Sequence, residues 1–178
     1  GGQQQQVPQE DPYLQQIRNA FGGVRSSLEG QIPTYETDLN TYKTDANNAL
    51  ANAQTDTTNQ KGEIARTYGD LLRKVLQSGQ QIGQKIVGAY GSLGSLDSSS
   101  YADAVTKAQQ QQGEDQGNIF RQQNQDTVAA DRQYTDFANQ TQSKIAQYET
   151  EIQRAKQGVQ QAIASADMNK ASSIAQYL

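Results

Sequence analysis

Apolar residues recur every three or four positions along nearly the whole chain. From the N-terminal side the series runs Leu14, Ile17, Phe21, Val24, Leu28, Ile32, Tyr35, Leu39, Tyr42, Ala46, Leu50, Ala53. It weakens at Thr57 and Gln60, then resumes at Ile64, Tyr68, Leu71, Val75, Ile82, Ile86, Tyr90 and Leu93. A second series runs Tyr134, Phe137, Thr141, Ile145, Tyr148, Ile152, Ala155, Val159, Ile163, Ala166, with Ile174 and Tyr177 closing it. Steps averaging about 3.5 residues place a narrow apolar stripe along one side of a long helix. Such a stripe is buried only against another helix. The fold class this predicts is all-α, with the helices paired as a coiled coil.

Composition agrees with extended helices and argues against a compact core. Leu, Ile, Val and Phe together supply 30 of 178 residues, fewer than the 31 of Gln alone. So few apolar side chains cannot offset the chain entropy of a globular domain. A low apolar share with high net charge would signal disorder. Here the net charge is only −4, the apolar residues keep a helical period, and Gln and Ala favour helix.

Punctuation divides the chain in two. Residues 1–10 are rich in Gln and Gly without periodicity and read as a flexible lead-in. Asp11-Pro12 is a helix start, with Asp as N-cap and Pro at the first helical position. The first arm then spans 11–90. Gly30 and Pro33 fall inside it, and Pro33 removes a helical hydrogen bond, so a kink is expected near residues 30–33. The Gly/Ser cluster over 91–100 reads as a turn, and Ser100 followed by Asp103 resembles a capping box opening the second arm, 101–178. Arms of 80 and 78 residues about one turn suit an antiparallel hairpin. Pairing Tyr90 with Tyr101 sets partners that sum to about 191, such as Leu71 with Phe120, Leu39 with Ile152 and Ile32 with Val159. The run Gln109–Gln112 with Gly113 and Gly117 carries no apolar stripe, and a break is expected over 109–118.

The chemical inventory is poor. There is no His or Cys, so catalysis would fall to carboxylates, Lys, Tyr, Ser and Thr. Paired carboxylates could serve, and Asp131 with Asp136, or Glu149 with Glu151, lie close in sequence. Each pair lies off the stripe beside Arg or Lys, where a charged residue is ordinarily solvated. No phosphate-cradling glycine motif, metalloprotease motif or EF-hand loop occurs. The sequence therefore reads as a non-enzyme, with no catalytic residue, no cofactor, no metal site and no small-molecule substrate. Fifteen Lys and Arg are spread singly, apart from the pair Arg73-Lys74, among 19 acidic residues, which argues against nucleic acid as a partner. No apolar run of 18 residues is present to span a bilayer as a helix. GGQQQQVPQEDP does not read as a signal peptide. The absence of an initial Met is expected of a processed product or an excerpt of a longer one.

Near the turn the stripe broadens. Leu72, Leu76 and Val87 lie beside the predicted seam, and Leu93 and Leu96 lie in the turn itself, so these five are the candidate interaction residues. They predict a homo-oligomer, with the hairpin forming part of a helical bundle. The segment AYGSLGSLDSSSYADAV, Ala89 to Val105, flanked by long Gln/Ala-rich helices, resembles a pattern in tailed-phage virion proteins of the tail, neck or capsid interior. That resemblance implies a virion location, non-enzymatic function and other virion or assembly proteins as partners. The alternative expectation is a secreted or ejected protein whose glycine-rich tip engages a membrane.

Overall fold

A computed structural model describes residues 11–178; the lead-in expected over 1–10 lies outside the described residues. Two helices account for nearly all of it, α1 (Pro12–Ser92) and α2 (Ser99–Tyr177), with no strand among the described residues. The all-α expectation and the antiparallel hairpin both hold.

The start of α1 forms as the sequence dictates. The Asp11 carboxylate accepts from the Tyr13 N–H at 2.8 Å, and its carbonyl accepts the first helical bond from Gln15. Pro12 thus occupies the position where a missing N–H costs nothing. Further on, α1 passes through Gly30 and Pro33 without a break. Pro33 is exposed, so water can take the Glu29 carbonyl that its ring leaves without a donor.

The turn is shorter than expected, Leu93–Ser98 rather than 91–100. Its geometry is a Schellman motif: Ser95 N–H donates to the Tyr90 carbonyl at 2.8 Å and Gly94 N–H to that of Gly91 at 3.1 Å. Gly94 has φ of 68°, the left-handed conformation that only glycine adopts cheaply. The N-cap of α2 is Ser98, not Ser100. Its hydroxyl accepts from the Tyr101 N–H at 3.1 Å, and its carbonyl accepts the first helical bond from Ala102.

The break expected over 109–118 does not form. α2 is continuous there, although two glycines each cost about 1 kcal/mol in a helix. The run is not stripeless either: Gln112, Gln116 and Ile119 are half-buried and carry the helix's contact line through it.

The chain divides into two units, Gly1–Asn48 with Gln140–Leu178, and Ala49–Asn139. In the first, antiparallel segments of α1 and α2 are held by the expected register. The rings of Tyr42 and Tyr148 lie 4.5 Å apart, Arg25 pairs with Asp167 and Lys156 with Glu36, each at 3.0 Å, and Lys43 pairs with Glu149. Ile152 and Val159 are buried, at 5% and 6% exposure. Along α1 the half-buried positions Leu28, Ile32, Tyr35, Leu39, Tyr42 and Ala46 alternate steps of four and three. Val24, expected on the stripe, is 49% exposed.

In the second unit the register sum is the same, about 191: Lys61 pairs with Asp131 at 2.9 Å, and the Tyr90 and Tyr101 rings meet at 5.7 Å. The spacing differs. The contact line on α1, half-buried apart from buried Tyr68 and with half-buried Gly69 beside it, runs Leu50, Ala53, Thr57, Lys61, Ile64, Tyr68, Leu72, Val75, Gly79, Gly83, Ile86, Tyr90. Its steps repeat as three, four, four, an 11-residue period. On α2 the same steps run through Val105, Ala108, Gln112, Gln116, Ile119, Gln123, Thr127, Ala130, Tyr134 and Ala138. Tyr68 and Ala130 are the buried residues of this unit. Two seam threonines bond within their own helix, and a seam tyrosine bonds across to the other. The Thr57 and Thr127 hydroxyls donate to the carbonyls of Ala53 and Gln123 at 2.8 Å, and the Tyr68 hydroxyl donates to Asp126.

Candidate interaction surface

The 11-residue period decides which apolar side chains the second unit buries. Leu71, expected on the seam, is 39% exposed, and Ile82 is 47% exposed. Leu72, expected beside the seam, is half-buried on it. Phe120, the expected partner of Leu71, is 56% exposed. Glycines take the vacated places: Gly79 and Gly83 stand where a stripe of larger residues would meet α2.

Between the helices this leaves a groove of about 430 Å³. Leu71, Val75, Ile82 and Ile86 line it from α1, and Val105, Ala108 and Ile119 from α2. Gln112 lies across Gly79, where an added Cβ would come within 2.7 Å of the Gln112 side-chain amide. The rims carry Lys74 and Asp115.

Of the five candidate residues, Leu76, Val87, Leu93 and Leu96 are exposed, between 44% and 77%. They do not form one patch. Leu76 and Val87 repeat at 11 residues, as Leu71 and Ile82 do, but lie about 140° further round α1 at 100° per residue. Leu96 packs its methyls near Gly91 in the turn. Sequence reasoning missed the exposure of Leu71 and Ile82 and the place of the two glycines; the three-four-four spacing was the signal that could have found them.

Two of the four carboxylates considered for catalysis are held in ion pairs between the helices. Asp131 accepts from Lys61 and Glu149 pairs with Lys43. Among the described residues no group of three or more acidic side chains is placed to hold a metal ion. Elsewhere, the Asp11 carboxylate accepts from the Tyr177 hydroxyl at 2.6 Å. That bond first, and the Tyr13 N–H second, hold the Asp11 carboxyl below its ordinary range, while Asp11 raises the Tyr177 hydroxyl. The bond to Asp126 likewise raises Tyr68.

No family model matches this chain, and neither a curated protein nor a solved structure is significantly similar to it. No helix among the described residues is long and apolar enough to cross a membrane.

Proposed function

We propose that this chain is a non-enzymatic structural or assembly protein, a coiled-coil component of a larger, oligomeric complex. The observation that carries this reading is the set of exposed apolar residues on α1 of the second unit: Leu71, Leu76, Ile82 and Val87. They form two pairs, Leu71 with Ile82 and Leu76 with Val87, on faces of α1 about 140° apart, and large apolar residues repeated along one exposed face mark a contact surface. Among the described residues nothing covers them. The tailed-phage virion is the setting to which the resemblance of the Ala89–Val105 segment points.

A second reading has its own observation. Leu93 and Leu96 are exposed at the turn, Leu93 at 77%, as a tip that touches a membrane would require. Flotation with liposomes separates the two. A structural component stays at the bottom of the gradient and is recovered in stoichiometric amount from purified particles. Co-flotation that Leu93→Gln with Leu96→Gln abolishes would replace the assembly reading with the membrane one.

A further inference from the structure

We infer that the groove of the second unit receives the same groove of a second copy of this chain, about a two-fold axis parallel to the helices, so that α1 of each copy lies on α2 of the other. This rests on the assembly reading and specifies its first contact.

Three observations select this occupant. The groove is apolar along its floor, with Leu71 and Ile82 left open to solvent. Its rims carry opposite charges that the fold leaves unused in ion pairs. Lys74 has no ion-pair or hydrogen-bond partner among the described residues, and Asp115 accepts only the Gln111 amide, at 3.0 Å. The register then fixes where these charges meet. With facing residues summing to about 191, Lys74 stands level with residue 117 of α2, two positions or about 3 Å along the axis from Asp115. A parallel two-fold lays α1 on the second copy's α2 at this same level, so each Lys74 reaches the other copy's Asp115, twice over. An antiparallel two-fold would instead lay α1 on α1 and carry Lys74 away from the other copy's Asp115.

All neighbouring helices in this bundle are antiparallel, and the exposed apolar residues lining the groove become its core. Leu76 and Val87 stay outside this contact.

The test uses light scattering on the full chain and two charge reversals, Lys74→Asp and Asp115→Lys. Wild-type protein is expected at twice 19.5 kDa or a multiple of it. Either single variant sets like charges together at both contacts and weakens self-association about tenfold, with helicity by circular dichroism unchanged. An equimolar mixture of the two variants restores wild-type association. The aspartate introduced in one copy then meets the lysine introduced in the other, and the native Lys74 and Asp115 meet at the second contact. No effect inside one chain can produce that rescue. A monomer at all concentrations, or single variants that the mixture fails to rescue, would overturn the proposal. An oligomer indifferent to both reversals would overturn this contact while leaving the assembly reading in place.

Discussion

The two units keep one register but use different periods, and the difference decides what each surface offers. In the unit holding Tyr42 and Tyr148, contact positions alternate steps of three and four, and nearly all carry apolar side chains. Interhelix ion pairs flank that seam: Arg25–Asp167, Glu36–Lys156 and Lys43–Glu149. Each has at least one partner well exposed to solvent, so these pairs specify pairing more than they stabilise it. In the unit holding the turn, the contact line repeats every 11 residues, about 3.67 per turn. It runs through Lys61, Gly79, Gly83, Gln112 and Gln116. Leu71, Ile82 and Phe120 are displaced to the flanks. A seven-residue period imposes a left-handed supercoil and an 11-residue period a right-handed one. In the first unit the contact line buries Ile152 and Val159, whereas in the second it leaves Leu71 and Ile82 open to solvent.

The largest expected contrast is between a buried and a displaced apolar residue. Ile152→Asp places an unpaired carboxylate in a site 5% exposed and is expected to cost about 3–5 kcal/mol. Phe120→Asp, at a site 56% exposed, is expected to stay within about 0.5 kcal/mol. Urea denaturation followed by circular dichroism measures both. Equal losses would remove the distinction between seam and flank.

The same substitution should act with opposite sign at two glycines. Gly94→Ala forces a Cβ into the left-handed conformation and is expected to cost about 1–2 kcal/mol. Gly79→Ala meets only the flexible end of Gln112. It gains helix propensity of up to about 1 kcal/mol, so its thermal midpoint should rise. A fall would mean that Gln112 is fixed across Gly79 and that the groove floor is rigid.

A smaller effect belongs to the first unit. The Asp11 carboxyl is lowered by its bonds to Tyr177 and Tyr13. A carboxyl held below its unfolded value contributes stability above that value, near the ordinary 3.8, and loses it as pH falls through the folded value. Tyr177→Phe should therefore lower stability slightly at pH 7 and flatten the acid limb of the profile. Identical acid limbs for variant and wild type would show that the bond carries no such linkage.

What was legible in the sequence followed from local chemistry and symmetry. Asp11-Pro12 caps a helix wherever it stands, Gly94 marks a turn, and equal arms about that turn give the register. Ser98 is hidden because the Ser100–Asp103 spacing mimics a capping box, and the two serines lie within one turn of each other. The candidate surface was harder to see for a physical reason. Over 22 residues a 3.5 period and a 3.67 period drift apart by about 100°, one residue position on a helix. A stripe extrapolated at 3.5 therefore selects Leu71 where the structure selects Leu72. Gly79, Gly83 and Gln112 carry no apolar signal at all, and they occupy the seam because pairing on either side puts them there. The same pairing carries α2 through Gly113 and Gly117, where local propensity alone argues for a break.

The most direct test of the two-period account is a pair of double-cysteine variants in the second unit. Cysteines at Leu72 and Ile119 lie on the 11-residue contact line at the common register. Cysteines at Leu71 and Phe120 have the same summed positions but lie on the flanks. Under mild oxidation the account predicts rapid disulfide formation within one chain for Leu72 with Ile119, and little for Leu71 with Phe120. The reverse order would contradict it, and would show that the seven-residue period continues to the turn.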